Sequence, residues 1–296
     1  MKRRGTWLEY YAENSAPLHV NEWLLKQAGA TKGVIAHYRR NSGLMVNGAI
    51  LTVENPVVAI GDAISLEVFK PEESGTVPEL MGIEILFEDE HLVAVNKPPN
   101  MKTHPNFEGE TGTLANALAF HFMMEGAGTA IRHVHRLDED TSGAILFAKH
   151  ALAQGIMDRE LQDHLIARTY LAAVHGLPRP AKGTVSVPIG KDRHHASRRR
   201  VSPGGQPAVT HYEVIQHNGS DSILKVSLET GRTHQIRVHL SHIGHPIIGD
   251  KLYGRPSSLI NRQALHAAHI SFSHPITKEL LTLDAPIPKD MRRWKM

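Results

Sequence analysis

Apolar side chains at Val20, Leu24, Leu25 and Ala28 recur at the spacing of one helical face, and Asn21 is placed to help start that helix. A second short helix is expected from about Lys32 to Arg39. Two strand-like stretches follow, Leu44–Leu51 and Ala63–Val68; Asn47-Gly48 splits the first as a two-residue hairpin turn, and Gly61-Asp62 supplies another turn before the second. Further along, Glu84–Phe87 and Leu92–Asn96 read as short strands, and Ala144–Ala148 as an apolar strand. Ile156, Met157, Leu161 and Leu165 predict one stripe of a helix. Tyr170–Val174 returns as a strand. Leu224, Val226 and Leu228 alternate with Lys225, Ser227 and Glu229, which predicts a strand buried on one face. A helix from Thr233 to Ile243 places Ile236, Leu240 and Ile243 inward. There is no internal repeat, and strands and helices alternate without a βαβ rhythm. The fold class expected is α+β on a largely antiparallel mixed sheet.

The stretch Lys70–Glu79 lacks apolar periodicity and carries two prolines and a glycine. It divides the chain into a small front unit (1–70), a linker (71–80) and a large unit (81–296). The chain has 296 residues with 41% hydrophobic and 21% charged, an ordinary globular balance. No run approaches the roughly 18 apolar residues of a membrane span. Met1-Lys2-Arg3-Arg4 leads into no apolar export segment, so a soluble cytoplasmic protein is expected. There are no cysteines, which removes disulfides, thiolate metal sites and cysteine nucleophiles together. An enzyme built from this chain that attacks a nucleobase must therefore use a carboxylate, a hydroxyl or water. Thirty-three Lys and Arg against thirty Asp and Glu give a net charge of +3, which permits a polyanionic partner without requiring one. Aromatics at 5% are too few for a surface that stacks many bases.

Three stretches concentrate chemistry. His133–Gly143 packs charged groups into a loop just before an apolar strand. Thr230–His239 runs from a turn into a helix; with Ile236 facing the core, Arg237 falls at the edge of the buried stripe. An arginine there can pair with a carboxylate such as Asp138 and hold it oriented as a nucleophile or base. Ala167–Tyr170 puts a tyrosine at the start of a strand, with a flat face for a base and a hydroxyl for proton transfer. His133 and His135 near Asp138 invite a metal-hydrolase reading, but the pattern H-x-H-x-D-H needs the aspartate one position earlier and another histidine beside it. Leu137 and Glu139 break that match, and no metal is expected. Gly244–Asp250 lacks the lysine-hydroxyl ending of a phosphate loop and reads as a tight turn. The basic run Lys191–Arg200 is either a solvated loop or a phosphate-binding arm ordered by nucleic acid.

His135-Arg136-Leu137-Asp138-Glu139-Asp140-Thr141-Ser142-Gly143 resembles the H-R-L-D-x-x-T-S-G signature of the RluA-type pseudouridine synthases. Further blocks follow in the family's order: Asn96-Lys97-Pro98 with Met101 and His104-Pro105, Arg168-Thr169-Tyr170, Val187–Gly190, Gly231–Arg237 and Gly249–Gly254. The resemblance spans about Ile83 to Pro286; Pro99-Asn100 departs from the Ala-Gly common after the first block. The front unit resembles, less closely, an S4-like RNA-binding domain, with Leu44–Leu51 as its strand-turn-strand. The resemblance implies isomerisation of uridine to pseudouridine in RNA without cofactor or metal. It makes Asp138 the catalytic aspartate, Tyr170 the base-stacking and proton-transferring tyrosine, and Arg237 the basic partner of the aspartate. Arg136, Arg232, His234 and the basic run's Arg198, Arg199 and Arg200 are the expected RNA-binding residues. The target uridine must leave its stack to meet Asp138. Whether Asp138 attacks C1′, attacks C6 or removes a sugar proton stays open. Ribosomal RNA is favoured over transfer RNA by family analogy, acted on by a monomer away from membranes. The alternative is an RNA-binding or ribosome-assembly factor that keeps the scaffold without turnover.

Overall fold

The computed structural model describes residues 1–13 and 18–294. The front unit contains β1 (Lys2–Arg4), β2 (Trp7–Tyr11), β3 (Leu18–His19), α1 (Val20–Lys26), α2 (Lys32–Arg40), β4 (Leu44–Val46), β5 (Ala49–Ile50), β6 (Val57–Val58) and β7 (Ala63–Leu66). The large unit contains β8 (Glu84–Glu88), β9 (Leu92–Lys97), α3 (Leu114–Met124), β10 (Arg132–His133), β11 (Ser142–Ala148), α4 (Ala151–Gln162) and β12 (Ala167–His175). It continues with β13 (Lys182–Ser186), β14 (Ile189–Lys191), β15 (Arg199–Val201), β16 (Val209–Asn218), β17 (Asp221–Leu228), α5 (Gln235–His242), β18 (Leu265–Ser273) and β19 (Leu280–Asp284). A 3₁₀ turn, Lys289–Trp294, closes the described chain.

The large unit is organised by one ten-stranded sheet in the order β13-β16-β17-β12-β18-β11-β9-β8, with β10 alongside β11 and β19 alongside β18. Its pairings are antiparallel except β11 with β18, which gives the largely antiparallel α+β architecture expected. That parallel step brings the start of β11 beside the start of β18, with Gly143 opposite Ala267. A β-carbon on Gly143 would lie 2.1 Å from the Ala267 carbonyl oxygen, and its φ of +114° is open only to glycine. The glycine that ends the aspartate motif is thus required by the backbone crossing beneath it. β11 is buried along its whole length, so it carries the preceding loop on a rigid base.

The front unit differs from the expected helix, helix, small sheet. Its sheet runs β1-β2-β7-β4-β5, and the two leading strands carry charged and aromatic side chains whose alternation is too weak to read. The Asn47-Gly48 turn is as expected, with φ of 49° and 81° joining β4 to β5. Asn21 does not start α1. The helix begins at Val20, and the Asn21 amide instead donates to the Asn55 side chain at 3.0 Å. The front unit's core also contains Leu152 and Ile156 of α4, because so short a segment does not enclose its own apolar side chains.

The linker has no helix or strand but is strapped down. Glu72 pairs with Arg132, the Asn116 amide donates to the Val77 carbonyl at 2.8 Å, and Glu79 accepts from the Gly112 amide at 2.6 Å. Leu165 falls outside its expected stripe: α4 stops at Gln162 and Leu165 is exposed, while Ile156 and Met157 are fully buried. In β17, Leu224 and Val226 are buried on one face as expected, but Ile223 is buried as well, because the sheet is covered on both faces there.

Candidate active site

Asp138 sits in the loop that β11 carries, and the carbonyls of the residues flanking it are held from outside. The Thr103 hydroxyl donates to the Leu137 carbonyl at 3.0 Å, and Lys97 donates to the Glu139 carbonyl at 2.7 Å and the Met101 carbonyl at 2.6 Å. Arg262 donates to the Asp140 carbonyl at 2.9 Å while gripping Asp290 with two nitrogens. The loop also closes on itself, the Thr141 amide donating to the Asp138 carbonyl at 3.0 Å. Lys97 is wholly buried, and burial pulls its ammonium down to about 7 against the pull of the nearby Asp138 and Asp140 charges.

The carboxylate of Asp138, about one quarter exposed, accepts from Arg237 Nη1 at 3.0 Å. Arg237 is not left to that contact alone. Its Nε and Nη2 donate to the two oxygens of Asp250 at 2.7 and 2.9 Å, the bidentate fork that fixes a guanidinium plane. Asp250 is fully buried and also accepts from the amides of Leu252 and Tyr253. Burial disfavours the charge on Arg237, but the Asp250 hydrogen bonds and the Asp138 charge outweigh it and hold the guanidinium protonated. One cation is therefore shared by two carboxylates, one sealed in and one open to solvent.

Arg237 is buried rather than at the edge of a stripe, because α5 is covered nearly all round from Gln235 to Leu240. The helix begins two residues later than expected. His234 takes a left-handed conformation, φ 59°, and its ring bonds the Tyr253 hydroxyl at 2.8 Å. Its other nitrogen stands 4.0 Å from Asp138. The ring of Tyr253 lies under the guanidinium of Arg237, 5.0 Å from the ring centre.

These groups open into a cavity of about 640 Å³, lined by residues of the aspartate loop, β12 and the turn before α5. Tyr170 and Arg168 of β12 line it from one side. Burial and the Asp138 charge push the Tyr170 phenol upward against the pull of Arg168, so it stays protonated at neutral pH. Arg136 is exposed at the cavity, and Arg232 lines it while its Nε donates to the Pro207 carbonyl at 3.0 Å. The structure thus brings Asp138, Tyr170, Arg237, Arg136, Arg232 and His234 to one cavity. It places the basic run outside it, as a hairpin of β14 and β15 with Arg198 and Arg200 exposed. The Arg199 amide donates to the Tyr253 hydroxyl at 2.7 Å and ties that hairpin to the site. A carboxylate fixed through one oxygen, beside a phenol kept neutral, can attack an electrophilic carbon or take a proton.

The two motif histidines do other work. His135 is buried, its Nε2 accepting from the Leu146 amide, and burial and then the Arg168 charge pull it down to about 3. His133 stacks on His104 at 4.7 Å with parallel planes. Among the described residues, the metal-spaced cluster Glu88, His121 and Glu125 lies on other elements, remote from this loop in sequence. Asp250, Tyr253 and Lys97 fall in family blocks of the sequence but carried no role there, and Arg262 was not singled out at all. Asp250 stood at the end of a stretch read as a tight turn; the signal was that an arginine on a buried helix needs more counter-charge than one exposed aspartate supplies.

A family model described as RNA pseudouridylate synthase matches residues 91–242. The chain is 47% identical to the uncharacterised RNA pseudouridine synthase YhcT of Bacillus subtilis (strain 168), over 99% of this chain and 97% of that one. It is 39% identical to the ribosomal large subunit pseudouridine synthase D of Zymomonas mobilis, over 85% and 84%. Among solved structures, human RNA pseudouridylate synthase domain containing 1 superposes with a TM-score of 0.58 at 26% identity, covering 70% of this chain and 84% of that one.

Proposed function

The chain belongs to the RNA pseudouridylate synthase family, and from that premise we propose that it isomerises uridines of ribosomal RNA to pseudouridine through Asp138. The observation that carries the reading is the Asp138 carboxylate, fixed at 3.0 Å by a buried arginine and opening into a cavity large enough for an extruded nucleotide. Tyr170 supports it as the face for the uracil ring. Arg136 and Arg232 at the cavity, with His234, hold the flanking RNA. The large-subunit names of several relatives favour ribosomal over transfer RNA. The front unit, read as S4-like, adds contacts to structured RNA around the target. The enzyme works as a monomer in the cytoplasm with its RNA; among the described residues, no helix is long and apolar enough to cross a membrane.

Mapping pseudouridines in total RNA from cells with and without the chain tests this. One or more large-subunit ribosomal positions should revert to uridine in its absence and be restored by the wild type. Asp138→Asn should restore none while melting as a folded protein. Restoration by Asp138→Asn would overturn the role given to the carboxylate; changes confined to transfer RNA would move the substrate; RNA binding with no position lost would leave an assembly factor.

A further inference from the structure

Arg237 is already balanced by two carboxylates, but among the described residues the second buried guanidinium of the cavity meets none. Arg168 is 8% exposed and lines the same cavity. Among the described residues its Nε finds no hydrogen-bond partner, and the site's ion pairs run through Arg237 and His234 instead. A β-carbon on Gly231 would lie 3.1 Å from its Nη1, so the turn before α5 packs against the guanidinium with bare backbone. Arg168 and Tyr170 stand two residues apart on β12, hence on one face of the sheet and about 7 Å from each other along the strand. A ring seated on Tyr170 is therefore within reach of the guanidinium.

Burying a cation without a counter-ion costs several kcal/mol, a cost a fold keeps where the charge has work to do. The reaction supplies the missing charge. When C1′–N1 breaks, the bonding pair stays on the ring and spreads from N1 to O2 and O4, however Asp138 takes part at the sugar or the base. We propose that Arg168 holds the detached uracil as its anion, keeping it in the cavity while the ring turns to present C5 to C1′. The C5 electron pair then forms the new carbon–carbon bond to C1′, expelling the Asp138 carboxylate where that group has bonded to C1′; the proton on C5 leaves and N1 takes one up, so atoms and charge balance without a co-reactant. Arg136 and Arg232 at the more open positions meet phosphates, which stay charged throughout; Arg168 meets a charge that exists only between the two bonds.

This inference rests on the pseudouridine-forming reading, and the test separates the two. The probe is a large-subunit ribosomal RNA transcript labelled with tritium at uridine C5, under single turnover with enzyme in excess. Tritium release by the wild type supports the reading; its absence fails the reading before Arg168 is reached. Arg168→Met should slow release at saturating RNA by about 100-fold, the size of losing one donor to a developing anion. Affinity should stay within about threefold, and Arg168→Lys should recover part of the rate. With 5-fluorouridine in place of uridine the departing anion is more stable, so the deficit in glycosidic rearrangement, read by nucleoside mass spectrometry, should shrink to about tenfold. Arg168→Met should also melt higher than the wild type, since it removes an uncompensated buried charge. Weakened affinity with an unchanged saturating rate would make Arg168 a phosphate contact and overturn the proposal. An equal deficit on both RNAs, or a lower melting temperature, would make it a structural residue and do the same.

Discussion

Asp250 falls in the family block Gly249–Gly254 with no chemistry assigned to it, yet it takes two of the three hydrogen bonds that Arg237 makes to carboxylates. Asp138 is reached only by the nitrogen that this fork leaves over, so the aim of the guanidinium depends on a carboxylate buried behind it. Asp250→Asn should cost about 3 kcal/mol or more, because it strands part of a buried charge. It should also slow tritium release from the C5-labelled transcript, with RNA affinity little changed. Melting curves and single-turnover rates check the two halves; a stable variant with full rate would show that Asp138 alone positions Arg237. The pairing of Asp138 with Arg237 was legible because helical spacing and a charged loop are local patterns. Asp250 was not, because its role arises from the return of the chain after α5, and in sequence it is one more turn aspartate after a glycine. Lys97 and Arg262 were hidden in the same way: each acts on backbone carbonyls of a loop about 40 or 120 residues away.

Among the elements, β11, β12 and β17 were readable because continuous apolar runs and alternation encode them directly. β1 and β2 were not, since exposed and half-buried strands carry little pattern. The end of α4 was misjudged because Leu165 continues the helical spacing after the backbone has turned away. α4 serves both units at once. Its Gly155 faces α2, and a β-carbon there would stand 2.4 Å from Val34 Cγ2, while Arg159 donates to the Gly29 carbonyl at 2.9 Å. Leucine is a better helix former than glycine by under about 1 kcal/mol, but overpacking costs about 1–3. Gly155→Leu should therefore loosen the front unit from α4. Limited proteolysis should cut the 71–80 segment faster than in the wild type, while catalysis on a short RNA that reaches only the cavity stays near normal. Unchanged cleavage would mean that the seam adapts and that α4 does not lock the two units.

At the scale of the whole molecule, a net charge of +3 is too small to bind RNA by itself, so affinity depends on where the cations stand. The run Lys191–Arg200 was left between a solvated loop and an arm ordered by RNA; the structure instead makes part of it a hairpin packed on the site side of α5, through Tyr253. That changes the expected electrostatics. Arg198 and Arg200 are exposed, but Arg199 is half-buried, its Nε enclosed with no hydrogen-bond partner among the described residues, so it is poorly placed for a phosphate. Each phosphate neutralised on single-stranded RNA adds about 0.7 to the slope of log affinity against log salt. Replacing Arg198 and Arg200 by glutamine should reduce that slope by about 1.4 and weaken binding most at low salt. Adding Arg199→Gln should leave the slope where it was, because the enclosed Arg199 Nε does not reach a phosphate. A titration of RNA affinity across salt concentrations separates these contributions. An unaltered slope in the double variant would return the hairpin to ordinary solvated surface, and the RNA would then have to be held by the cavity arginines and the front unit.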